Sequence, residues 1–144
     1  MLVLDAEGAI LGRLASYVAK KLLEGEEVRV VNAERAVVSG KREWVIEKYQ
    51  SFLNVRNRAN PRKGPFHVKR PDLFVKKVIR GMLPKKKKRG RDALKRLRVY
   101  LGVPEEFKGK AEKLELFSSS KITRTDLITV GEICHFLGWK GESS

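Results

Sequence analysis

The groups able to do covalent chemistry are few. One cysteine, Cys134, and two histidines, His67 and His135, make up the whole complement of thiol and imidazole. A structural zinc site draws four ligands from such groups, so zinc is short of donors here. Carboxylates could hold magnesium, but no spacing of Asp and Glu argues for it. Cys134 and His135 are adjacent in the chain, yet successive side chains on a helix diverge by about 100°. Cys134 also falls on an apolar stripe with Val130, Ile133 and Leu137. Such surroundings raise a thiol's pKa and make it inert, so a core cysteine is expected rather than a nucleophile.

Asp5 and Glu7 close an apolar run at the N-terminus. α/β enzymes place catalytic groups at that end of a strand, and two carboxylates there could serve a metal-dependent nuclease. The plainer reading is a turn acid followed by an acid at a helix N-terminus. Gly8 and Gly12 open the next element, but neither GxGxxG nor GxxxxGK[ST] is present, and SGK at 39–41 lacks the upstream glycine. The expectation is a protein that is not an enzyme, with no cofactor, no metal and no small-molecule substrate.

The remaining chemistry is ionic. Between Arg56 and Arg98 the chain carries 18 of its 32 Lys and Arg residues and two acids, Asp72 and Asp92, a balance of +16 within 43 residues. Everything else sums to −1. Charge of one sign gathered on this scale repels itself and invites a polyanion. Ordering flexible chain costs about 1–2 kcal/mol per residue in backbone entropy, so such a segment orders fully when phosphates neutralise it. The candidate contacts begin with Arg56, Arg58, Arg62, Lys63, Lys69 and Arg70. They continue through Lys76, Lys77 and Arg80, then the run Lys85, Lys86, Lys87, Lys88, Arg89 and Arg91, and end with Lys95, Arg96 and Arg98. Only Phe66 and Phe74 supply aromatic rings in this stretch. Stacking on unpaired bases is therefore not the main mode, whereas the shape, phosphates and 2′-hydroxyls of folded RNA suit it. No helix-turn-helix, zinc-finger or zipper pattern points to a sequence-specific DNA regulator.

These side chains need a scaffold. Leu2 to Leu4 reads as a buried strand, and Leu11, Leu14, Ala15, Val18 and Leu22 as the apolar face of a helix stopped by Gly25. Val28 to Val31 reads as a second strand, which makes a parallel strand–helix–strand unit. Ser39 is read as the N-cap of a helix carrying Val45, Tyr49, Phe52 and Leu53. Residues 56–71 hold three prolines and a glycine without period, an extended basic loop. Pro71 and Asp72 then suit the first turn of a helix with an inward stripe of Val75, Val78, Ile79, Met82 and Leu83. KKKKRGR (85–91) reads as a loop, followed by a short basic helix to about Leu97 and a strand near RVYL. Thr129 and Glu132 have capping-box spacing before a last helix, expected to pack on the sheet.

At 144 residues the chain fits one domain, 1–144, with the basic segment 56–98 inserted in it. Its sequence pI of about 10.2 falls in the nucleic-acid range. The lone cysteine excludes an internal disulfide, and Asp5 interrupts any signal-peptide core, so a cytoplasmic protein is expected. No apolar run is long enough for a spanning helix, and no membrane partner is expected.

Four motifs stand in order along the chain: DAEGAILGRLAS (5–16), VVNAERAVVSGK (30–41), GMLPKKKKRG (81–90) and RVYLGVP (98–104). Together they resemble the large-subunit ribosomal protein family numbered thirteen, over about the whole chain. Between the second and third motifs the prolonged basic stretch replaces the bacterial histidine- and glycine-rich segment, which is similar to the archaeal and eukaryotic branch. The resemblance implies a three-layer α/β/α fold with a mainly parallel four-stranded sheet and a long basic RNA-binding insertion. It implies binding to large-subunit ribosomal RNA during assembly, beside neighbouring large-subunit ribosomal proteins, and no catalytic residue. By position, Lys85 to Arg89 would lie against RNA, with Leu83 and Pro84 setting the loop's direction. The alternatives are an RNA-processing nuclease and a non-specific nucleic-acid chaperone.

Overall fold

A computed structural model describes residues 1–53, 70–84, 86–114, 118 and 127–139. Strand β1 (Leu2–Asp5), helix α1 (Leu11–Leu23) and strand β2 (Val28–Val31) form the expected parallel unit, with Leu4 opposite Val30. The stripe on α1 is buried throughout, and each fully buried Leu or Val contributes about 1.5–3 kcal/mol. Gly25, at φ 99°, closes α1. Its N–H donates to the Leu22 carbonyl at 3.1 Å, and the N–H of Glu26 donates to that of Lys21 at 3.1 Å. That pair of bonds satisfies carbonyls that a helix end otherwise leaves open.

After the 3-10 turn Ala33–Arg35 come β3 (Val37–Ser39) and α2 (Arg42–Leu53). Ser39 is thus the last strand residue and not the cap of α2. The strand reads poorly from sequence because its partner is remote: Val37 pairs with Thr129 in an antiparallel ribbon with β5 (Leu127–Thr129).

Helix α3 (Pro71–Gly81) and helix α4 (Lys88–Lys95) lead into β4 (Leu97–Val99), which pairs parallel with β2. The helix begins at Lys88, so the loop expected over 85–91 is confined to its first half. Val75, Ile79 and Leu83 are buried as expected, but Met82 is 44% exposed because α3 stops at Gly81 and the cap residue turns off the stripe. Phe74, one of the two aromatic rings in the basic stretch, is a core residue whose ring meets Tyr49 edge-on at 5.1 Å.

The α/β class and the mainly parallel sheet are as expected, and among the described residues a fourth strand is not seen. The parallel sheet has three strands in the order β1-β2-β4, and β3-β5 is a separate ribbon. A single parallel bridge, Leu4 to Glu112, lies on the outer edge of β1. All five helices share one core with Leu4, Val28, Val30 and Leu97. The opposite face, Val3 and Val31, packs against Phe107 from the short 3-10 helix Glu105–Phe107. Helix α5 (Val130–Phe136) packs on α2, α3 and the 3-10 turn beside its own strand β5, and its Val130, Ile133 and Cys134 join the core shared with the parallel sheet. Its cap is as expected: the Thr129 hydroxyl accepts the Glu132 N–H at 3.2 Å.

Candidate nucleic-acid interface

Helices α3 and α4 form a hairpin whose closure depends on one glycine. The Lys87 N–H donates to the Pro84 carbonyl at 3.1 Å, turning the chain back on itself. Gly90 then passes so close that a Cβ would overlap the Pro84 carbonyl, which only glycine avoids. The hairpin encloses a cleft of about 380 Å³ with Leu83, Gly90 and Leu94 as its floor. Its walls carry Lys76, Arg80, Arg91, Lys95 and Arg98 and, among the described residues, no acid.

The sequence candidates separate into three groups. The cleft assembles Lys76, Arg80, Arg91, Lys95 and Arg98, while Lys86, Lys87, Lys88 and Arg89 are exposed at the hairpin tip. Lys77 is exposed on α3. Among the described residues none of the cleft and tip cations has a carboxylate within 4 Å, so their charge is uncompensated.

Two candidates serve the scaffold. The Arg70 guanidinium pairs with Asp72 at 3.1 Å at the start of α3. Arg96 is half-buried, and its guanidinium donates to the Leu22 carbonyl at 2.7 Å, a cation set at the C-terminus of α1 where the helix dipole favours it. Its own carbonyl accepts from the Arg29 guanidinium at 3.0 Å and from the Val28 N–H at 3.1 Å. Arg56, Arg58, Arg62, Lys63, Lys69 and Lys85 lie outside the described residues.

One neighbour was not singled out. Lys20 on α1 shares a surface hollow with Arg89, the exposed Met82 and the acid Glu24. The only signal was its position off the apolar stripe, beside Lys21.

The groups weighed for catalysis are committed elsewhere. Asp5 Oδ1 accepts from the Glu7 N–H at 2.9 Å and from the Asn32 amide at 3.0 Å, and Glu7 lies 3.5 Å from Arg35 and 3.8 Å from Lys113. They hold a turn. Among the described residues no cluster of three His, Cys, Asp or Glu could hold a metal. Cys134 is fully buried, and burial, assisted by the nearby Asp72 charge, pushes its thiol up to about 12.

The second and fourth sequence motifs dock on each other. Glu34 accepts the Gly102 N–H through both carboxylate oxygens, at 3.2 and 3.1 Å, and the Asn32 N–H donates to the Gly102 carbonyl at 2.8 Å. The motifs that carry the resemblance thus include scaffold joints as well as the basic hairpin.

A small α/β scaffold that folds several of its acids into joints and lines the cleft of a helical hairpin with cations has the charge pattern of the proteins that meet polyanions. Comparison with known proteins narrows that class. Residues 1–106 match the family described as ribosomal protein L13. The chain is 46% identical to the large ribosomal subunit protein uL13 of Archaeoglobus fulgidus over 141 residues, covering 96% of this chain and 88% of the relative. It is 45% identical to that of Methanopyrus kandleri, covering 96% and 87%. It is 48% identical to that of Methanocaldococcus jannaschii, covering 97% and 99%. This chain belongs to the ribosomal protein L13 family, in its archaeal branch.

Proposed function

We propose that this chain is a structural component of the large ribosomal subunit, binding large-subunit ribosomal RNA and helping to organise it during assembly. The observation that carries the role is the family relationship, extending over nearly the full length of relatives named as large-subunit proteins. The α3–α4 hairpin supplies the place of contact. Lys76, Arg80, Arg91, Lys95 and Arg98 meet phosphates in the cleft, and Lys86, Lys87, Lys88 and Arg89 meet them at the tip. Lys77 extends the contact along α3. Arg70 and Arg96 act chiefly by holding the scaffold. Arg56, Arg58, Arg62, Lys63, Lys69 and Lys85 join through the charge of a long basic insertion, 56–98, within one domain spanning 1–144. Neighbouring large-subunit proteins are the other partners, and the place of work is the ribosome in the cytoplasm.

The role is structural and not catalytic. A nuclease would need Asp5 and Glu7 free, and both are used within the fold. The test is an RNA titration at several salt concentrations. Each phosphate contact contributes roughly 0.9 to the slope of log affinity against log salt on the duplex scale, so Arg80→Gln with Arg91→Gln should lower it by about 2. An unchanged slope would remove the cleft from the interface. Equal affinity for duplex DNA and folded ribosomal RNA would favour a non-specific chaperone.

A further inference from the structure

The cleft between α3 and α4 is built unlike the hairpin tip. Its floor of Leu83, Gly90 and Leu94 offers no side-chain donor or acceptor, and Leu94 is only half-buried, so part of its apolar surface is open to the cleft. A phosphate pressed against such a floor would shed water and gain no hydrogen bond from those side chains. There is also room to spare. The volume of about 380 Å³ lies within the roughly 300–1,000 Å³ of pockets that bury small ligands, and equals roughly a dozen waters at about 30 Å³ each. One phosphate would leave most of it empty.

The cations divide in the same way. Three of the five on the cleft walls are arginines, Arg80, Arg91 and Arg98, whereas three of the four at the tip, residues 86–89, are lysines. An ammonium is a compact, strongly hydrated point charge that suits a phosphate oxygen. A guanidinium is planar and more weakly hydrated, and it stacks on the faces of unpaired bases as well as binding phosphate. Arg80 comes from α3 and Arg91 from α4, so both helices that bound the floor bring planar cations to it.

We infer that the cleft receives one unstacked nucleotide of the RNA, its base laid on the Leu83–Leu94 floor and its phosphate held by the wall cations, while the tip meets backbone alone. Leucine and guanidinium surfaces thus replace the aromatic platform that the basic stretch lacks. The floor has no side-chain group to read a base edge, so the site tolerates any base. The inference rests on the RNA reading and deepens it, naming a base where charge names only a backbone.

The test uses the full chain with 13C-labelled leucine methyls and 15N-labelled amides, titrated with the ribo-oligonucleotide tetra-adenylate and with an abasic tetramer of equal charge. Both should shift the amides of α3 and α4. Only tetra-adenylate should move the Leu83 and Leu94 methyls upfield, through the ring current of a base lying over them. It should also bind about three- to tenfold more tightly, the gain from covering a few tens of Å² of apolar floor. Leu94→Ala should narrow that preference and keep the affinity for the abasic tetramer. Equal affinities or unmoved methyls would overturn the base site and leave phosphate binding at the hairpin standing. No response at the hairpin from either oligomer would overturn the inference and the RNA reading of the cleft together.

Discussion

Replacing Gly90 by alanine tests whether α4 is seated on Pro84. The added Cβ would overlap the Pro84 carbonyl and touch its ring, and the obstacle is backbone that cannot swing aside. Overpacking of this kind typically costs about 1–3 kcal/mol. Alanine recovers about 0.5–1 kcal/mol by its higher helix propensity. The net expectation is a loss of about 1–2 kcal/mol, or roughly 3–8 °C in Tm for a chain of this size. Gly12, in the first turn of α1, is the control, since a Cβ there meets nothing within 4 Å. Gly12→Ala should therefore stabilise by up to about 1 kcal/mol. The same chemical change then moves Tm in opposite directions at two helical glycines. Melting curves followed by circular dichroism read the sign directly. RNA titration of the folded Gly90→Ala variant should show weaker binding, because the cleft walls move apart while every cation is kept. A Gly90→Ala protein as stable as Gly12→Ala would show that α4 does not rest on the Pro84 carbonyl.

Three further outcomes are expected. Cys134 should resist thiol reagents in the native protein. Its raised pKa means that the unfolded chain ionises first, so between pH 9 and 12 stability should fall by about 1.4 kcal/mol for each unit in which only the unfolded thiol is charged. Cys134→Ala should flatten part of that fall in denaturant titrations across the range, Tyr49, also raised by burial, keeping the remainder. Arg96→Gln should lose a charge-assisted bond of about 1.5–3 kcal/mol with little change in the RNA salt slope, whereas Lys95→Gln should do the reverse; matching behaviour of the two variants would contradict their separation. Leu83→Ala, at a site only 5% exposed, should cost about 2–5 kcal/mol in urea unfolding and keep the salt slope of the folded fraction.

Helical periodicity carried most of what could be read in advance. The stripes on α1 and α5 and the Thr129 cap are local patterns, and each lies where its spacing put it. What escaped reading is non-local. Ser39 resembles a cap because Ser commonly is one, but the register of Val37 with Thr129 claims it for a strand. Arg96 is chemically the same as Arg98 in the sequence, and only the nearness of the α1 C-terminus turns it from solvent toward the Leu22 carbonyl. The basic run was visible as charge. The cleft was not, because it exists only once Gly90 lets two helices close on Pro84.

The sheet order has a kinetic consequence. Strands β2 and β4 are neighbours, yet the Arg29–Arg96 bond that fastens them spans 67 positions, and most of the basic segment lies between. The length itself matters little, since doubling a loop adds only about 0.6 kcal/mol to closure. Mutual repulsion of like charges is the larger obstacle to bringing β4 home. A newly made chain can complete β1, α1 and β2 from local contacts and then wait with one edge of β2 open. A polyanion that gathers the cations would shorten that wait, so refolding should be faster with ribosomal RNA present than without it, and equal rates would remove the repulsion argument.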